Sequence, residues 1–174
     1  MKLKTLCIVS FLVVLSFNIA FALSEREIYD AAIKAVRSRN MDFAFMNFRA
    51  LLIQYPQSQY TEKALFATGE YFFASGDYRD AASLFSRYIT EYFDAKGYIF
   101  ALAYLFKIAE KQGQANLIEK LQKEIVTFRQ HSFLFRDFKA YTYRSPFAKD
   151  YKVVYYINKV EFLVDDAPFA DISY

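Results

Sequence analysis

Ile28, Leu65 and Leu102 stand 37 residues apart, as do Ala32, Gly69 and Phe106, then Ala44, Ala81 and Ile118, then Leu52, Ile89 and Val126. Arg39, Gly76 and Gly113 keep the same interval between the apolar runs. A fixed period of this size constrains the chain more than any other feature. A unit that short cannot bury its apolar face alone, so each stacks on the next, giving a row of helix pairs rather than a compact bundle. The register predicts helices over about 24–38 and 41–55, 60–74 and 78–92, and 97–111 and 114–130.

The middle unit carries the pattern most densely: Ala64-Leu65-Phe66-Ala67-Thr68-Gly69, Phe72, Gly76-Asp77-Tyr78, Ala81 and Phe85. Gly69 and Ala81 are small enough to let two helices approach, and Leu65, Phe72 and Phe85 fill the space around them. Gly76 accepts the positive φ that ends the first helix, and Asp77 caps the second. Ser24-Glu25-Arg26-Glu27 opens the first helix with a serine cap and early acids, and Tyr55-Pro56-Gln57-Ser58 closes the first unit. In that unit Arg39-Asn40 stands where the second has glycine and aspartate.

The two ends differ from the repeats. Lys2 and Lys4, the apolar run Leu6 to Phe17 and the group Ala20-Phe21-Ala22 have the order of a secretory leader, residues 1–22, with the mature chain starting near Leu23. The alternative is a membrane anchor, but the run is broken by Ser10, Ser16 and Asn18 and is short against the roughly 20 apolar residues of a span. Cys7, the single cysteine, lies inside the run rather than after it, which makes it a poor lipidation site. Its loss with the leader removes disulfide, thiolate and cysteine–metal chemistry together. Losing Lys2 and Lys4 brings the formal charge from +3 to +1, too near neutral for a general attraction to nucleic acid.

From Ser132 the helical period fades. Twelve of the 43 residues from Ser132 to Tyr174 are Phe or Tyr, and Tyr151-Lys152-Val153-Val154-Tyr155-Tyr156-Ile157 is a β-forming run. An antiparallel meander is expected, with strands near 138–144, 151–164 and 167–173 and a two-residue loop at Asp165-Asp166. That register sets Val164 opposite Ala167, Phe162 opposite Phe169, and Pro168 opposite Leu163 at a non-bonded site of an edge strand. Three short strands do not hold an apolar face in water, so the sheet packs on the third helix pair or on a partner, with Phe133, Phe135 and Phe138 as the hinge. The expected fold is therefore mainly α: a solenoid of three helix pairs over 23–130, then a small β element over 131–174.

Small residues twelve apart followed by an aromatic four later, as in Gly69, Ala81 and Phe85, resemble a tetratricopeptide repeat (TPR). Phe48 through Tyr55-Pro56-Gln57-Ser58, Ala64 with Gly69, and Gly76-Asp77-Tyr78 through Ala81 to Phe85 resemble bacterial envelope TPR proteins. Among these are the lipoprotein of the outer-membrane β-barrel assembly machine and the periplasmic protein that works with the Tol–Pal system. The resemblance runs from Glu25 to Gln130. It departs in lacking a lipobox cysteine, in having fewer units than the assembly lipoprotein, and in the aromatic tail. The third unit sets Phe106, Ile118 and Gln122 where Gly, Ala and Phe are expected, so it departs from TPR packing or serves as a cap.

The resemblance implies that the first helix of each unit lines a groove. In register these positions are Tyr29, Phe66 and Ala103, then Ile33, Glu70 and Lys107, then Val36, Phe73 and Glu110, with Arg37, Ala74 and Lys111 at the end. Tyr29, Ile33, Phe66, Glu70, Phe73 and Lys107 form the expected partner-binding set, an aromatic groove with a few charges that suits an extended peptide or a partner helix. The alternative is that the tail or neighbouring units cover Phe66 and Phe73. His131, the single histidine, falls where the last helix ends and has no second histidine or cysteine to make a metal or catalytic site. No phosphate loop, nucleophile elbow or zinc-helix motif is present in the sequence. The chain is expected to be no enzyme, to need no cofactor, and to be periplasmic or secreted. It would bind a protein or peptide, meeting the membrane only through partners. As an alternative, it is a structural subunit assembled through the aromatic tail; an enzyme with an unrecognised site is the third reading.

Overall fold

The computed structural model describes residues 23–131 and 140–174. The leader and the Phe133, Phe135 and Phe138 hinge lie outside those residues. Six helices come first: α1 (Glu25–Arg37), α2 (Met41–Gln54), α3 (Thr61–Ala74), α4 (Tyr78–Glu91), α5 (Tyr98–Gln112) and α6 (Ala115–His131). Four strands follow: β1 (Ala140–Arg144), β2 (Asp150–Tyr155), β3 (Lys159–Val164) and β4 (Ala167–Ser173). This is the expected class, mainly α repeats with a small C-terminal antiparallel meander.

The repeat is written into the turns as well as the helices. Arg39, Gly76 and Gly113 all take positive φ, at 58°, 81° and 65°. In each turn the following amide reaches back five residues: Asn40 N donates to Ala35 O, Asp77 N to Phe72 O and Gln114 N to Ala109 O, at 2.9 to 3.0 Å. This αL closure satisfies the last carbonyls of the first helix and starts the second at once. Asn40 and Asp77 then cap the second helices through Phe43 N and Asp80 N. Arginine does at the first turn, under strain, what glycine does freely at the other two. At α1, Ser24 and Glu27 form a reciprocal capping box.

Gly69 makes room for a ring rather than for Ala81. A Cβ there would lie 2.9 Å from Phe85 Cζ, so the edge of Phe85 packs directly on the α3 backbone. Gly97, just before α5, is the second such position, where a Cβ would lie 2.5 Å from Tyr88 Oη and 3.1 Å from Phe66 Cδ2.

The sheet is ordered β1-β2-β3-β4, antiparallel throughout. One long strand was expected over 151–164, and the structure replaces it with two. Tyr151, Val153 and Tyr155 are buried on β2, whereas Val160 and Phe162 are buried on β3. Those sets have opposite parity, and a straight strand alternates faces with period two, so it would turn one set outward. The chain instead reverses through Tyr156-Ile157-Asn158, with Ile157 fully exposed and Tyr156 N donating to Lys159 O. Asp165 and Asp166 form the expected two-residue loop, both at positive φ (51° and 62°). Val164 faces Ala167 and Leu163 faces Pro168 as expected, but a bulge between Phe162 and Leu163 pairs Phe162 with Ala170 rather than Phe169. The bulge frees Phe169 to lie against Phe73 and Tyr104, with centroids 5.8 and 4.9 Å away, while Ala170 and Ile172 stay buried.

The sheet lies across the first helices of the second and third units. Phe66 meets Tyr143 at 5.1 Å and Tyr151 at 5.7 Å, and Phe100 meets Tyr141, Tyr143, Tyr151 and Phe162. Tyr155 donates to Ile125 O on α6, and Tyr141 to Lys96 O. One continuous core thus joins helices and strands, including Phe66, Phe85, Leu102, Ile125, Val153 and Phe162. A smaller core lies under α1, α2 and α3, and Phe147 from the β1–β2 turn plugs it against Phe48. A Gly69→Leu replacement has no space beside Phe85 and is expected to lower stability by about 1–3 kcal/mol. A thermal melt at the wild-type midpoint would refute that packing.

Candidate functional site

The sheet changes the meaning of the groove positions. Phe66 and Glu70 are 0% and 1% exposed, so the expectation that they face a partner is corrected: the chain's own β2 and β1 occupy their space. Phe73 is half-buried among Tyr78, Tyr104 and Phe169. Lys107 is half-buried and paired with Glu110 at 2.6 Å. Ala103 is buried, and Lys111 lies over the Tyr78 ring. Covering these rings follows from their area, since five aromatic neighbours of Phe66 stabilise burial far more than open water would. Tyr29 and Ile33 are likewise half-buried, and both line an open cleft.

Glu70 is the exception to an apolar floor. Its Oε1 accepts from Tyr151 Oη, and Tyr151 Oη is 2.5 Å from Tyr104 Oη. Tyr151 has one proton and gives it to the carboxylate, so Tyr104 donates to Tyr151. Burial, then the nearby Glu70 charge, holds both hydroxyls well above their usual range, which keeps them donors. Lys149 Nζ approaches Glu70 Oε1 at 3.6 Å. The Ser145 hydroxyl lies close enough to favour the charged carboxylate, although neither Ser145 Oγ nor Glu70 Oε2 completes a hydrogen bond. Burial outweighs these partners and pushes the Glu70 carboxyl up to about 6.

Beside this cluster lies an open cleft of about 920 Å³. Tyr29 and Ile33 of α1 form one wall, Gln59, Glu62 and Lys63 lie at the start of α3, and Tyr92, Asp94, Ala95 and Lys96 come from the α4–α5 connection. Thr142 to Pro146, from β1 and its turn, form the opposite wall. Tyr29 is held by stacking on Tyr60 at 4.2 Å, with Lys63 over its ring. Glu62 is committed to Tyr88 Oη at 2.7 Å. Arg144 pairs with Asp150 at 3.2 Å.

The helical register pointed to Tyr29 and Ile33, and nothing in it pointed to Thr142, Arg144, Ser145 or Lys149. Those residues become neighbours of α3 only because the sheet folds back over 70 or more positions of chain. Among the described residues no group of three or more His, Cys, Asp and Glu is placed to hold a metal ion, and the His131 side chain is outside them.

No family model matches this chain, and no curated protein matches it. Among solved structures, a chain of the CopN-Scc3 complex superposes with a TM-score of 0.53 over 69% of this chain and 73% of that one, at 18% identity. At that identity the likeness is one of fold, a helical-repeat arrangement.

The buried carboxyl gives the fold a pH dependence with a definite sign. Glu70 titrates near 4.5 when unfolded and near 6 when folded. Between those values the folded protein keeps a proton that the unfolded chain has released. Stability therefore falls as pH rises through the window and levels off above it, by about 2 kcal/mol in all. Glu70→Gln still accepts from Tyr151 and is expected to flatten that slope in chemical denaturation across the window. A variant that keeps the wild-type slope would assign the titration to another group.

Proposed function

We propose that this chain is a cell-envelope scaffold that holds a partner protein through a segment seated in the cleft between α1 and β1. The observation that carries this reading is the division of the groove. The chain's own sheet packs on Phe66, Glu70 and Phe73, while Tyr29 and Ile33 line an open cleft walled by helices on one side and a strand on the other. Its lining mixes aromatic and apolar groups with a few polar and charged ones, the make-up of a surface that binds a peptide. The fold is shared with a chain of the CopN-Scc3 complex, a protein-protein assembly.

The envelope assignment rests on the order of Lys2 and Lys4, the apolar run and Ala20-Phe21-Ala22, and on the resemblance to envelope TPR proteins. On this reading the protein is periplasmic or secreted and serves outer-membrane assembly or envelope integrity. The rival reading, assembly into a larger complex through the aromatic tail, is disfavoured because Tyr143, Tyr151, Tyr155 and Phe162 turn onto the chain's own helices.

The test is capture from envelope extracts. Tyr29→Ala with Ile33→Ser should lose the partner that the wild-type protein retains, with unchanged circular dichroism; equal capture by both would sink the cleft as the interface. The exported protein should also lack residues 1–22 by intact mass, and a membrane-retained species at 20.4 kDa would count against export.

A further inference from the structure

The sheet has two edges, and they are finished differently. β4 carries Pro168 opposite Leu163, one residue beyond the bonded pair Val164–Ala167 that closes the two-residue loop. Its missing N–H is therefore one that would have pointed off the sheet, and Gln122 Nε2 on α6 donates to Ser173 O at the other end of the strand. Proline and a covering side chain are the ordinary ways to blunt an exposed edge. β1, the opposite edge, has no proline and no covering side chain among the described residues.

The register fixes which main-chain groups of β1 are free. Ser145 N donates to Lys149 O across the turn, so 145 and 149 are a bonded pair. Counting back in twos makes Tyr143–Tyr151 and Tyr141–Val153 bonded pairs as well. Asp150 faces the other way, with its O accepting from Asp165 N and its N donating to Asp165 Oδ1. Thr142 and Arg144 thus direct their N–H and C=O away from β2, and both residues are exposed and line the 920 Å³ cleft. An edge that opens into a cleft is a template for a polypeptide in extended conformation.

Building on the scaffold reading, we propose that β1 accepts an extended segment of the partner as a fifth strand, bonded to the main chain of Thr142 and Arg144. Side chains on one face of the added strand reach Tyr29 and Ile33. The cleft also sets a charge preference. Lys63 and Lys96 are exposed and pair with no acid among the described residues, Glu62 is held by Tyr88, and Asp94 is the remaining carboxylate of the lining. The segment that fits is therefore one of alternating apolar residues with an acidic side chain on its other face.

The probe is a phage-displayed library of random peptides selected on the purified protein. Selected peptides should slow hydrogen exchange at the Thr142 and Arg144 amides. Thr142→Pro removes only an outward N–H, so the sheet survives while binding weakens about tenfold, and Thr142→Ala should bind as wild type. Methylating alternate amides of the peptide should cause the same loss with the protein unaltered, which covers the case in which Thr142→Pro fails to fold. Peptides that need Tyr29 but ignore Thr142→Pro and N-methylation would overturn strand addition and leave the cleft standing. Peptides indifferent to Tyr29 as well, or a selection that yields no binder, would overturn both.

Discussion

The packing of Phe66 between two layers is what the remaining structure depends on. Its ring meets Phe85 and Tyr88 of the second helix of its own unit, Tyr104 of the next unit, and Tyr143 and Tyr151 of the sheet. Edge-to-face pairs of this kind contribute about 0.5–1.5 kcal/mol each beyond the area they bury, so one residue couples the unit, its neighbour and the strands. Gly69 and Gly97 belong to the same constraint, since a Cβ at either would push away Phe85 or Tyr88. The repeats and the sheet consequently share one core, and a small meander that would be unstable alone is held by the helices beneath it.

Glu70 sits within this contact and makes it conditional. A fully buried carboxylate costs more than an apolar side chain of its size unless its partners are well placed. Tyr151 supplies one hydrogen bond and Lys149 a charge, both from β2 or its turn, so docking of the sheet is what satisfies the helix's one buried acid. Apolar rings give the docking its strength and are tolerant of small slips. The Glu70–Tyr151 contact favours a single register, because a one-residue shift of β2 would turn Tyr151 to solvent and leave the acid unpartnered.

The sheet covers Phe66 and Glu70 in the middle of the groove and leaves a cleft beside α1. A helical stack with an open groove can take a long ligand along its length, whereas here the open cleft is bounded by α1 and by the outer side of β1. The edge strand matters more than its five residues suggest, since it brings main-chain donors and acceptors to a surface otherwise made of side chains. Arg39 at the α1–α2 turn, in a conformation that glycine would take freely, lies in the same unit as Tyr29 and Ile33.

The sequence by itself determined the helices, their turns and the loop at Asp165-Asp166. These follow from local physics: a 37-residue period, glycine able to take positive φ at the second and third turns, and Asp at the tip of a hairpin. The break between β2 and β3 was missed by the expected strand over 151–164; only burial of Tyr151, Val153 and Tyr155 together with Val160 and Phe162, sets of opposite parity, shows why the strand must divide. The tertiary structure alone decided that Phe66 and Glu70 are core, that Phe169 leaves the ladder at a bulge, and that Thr142 and Arg144 face Tyr29 across a cleft. Periodicity shows which face of a helix is apolar, but not what will cover it. The cover came from residues 70 or more positions away, and an apolar groove reads the same in sequence whether a partner fills it or the chain's own sheet does.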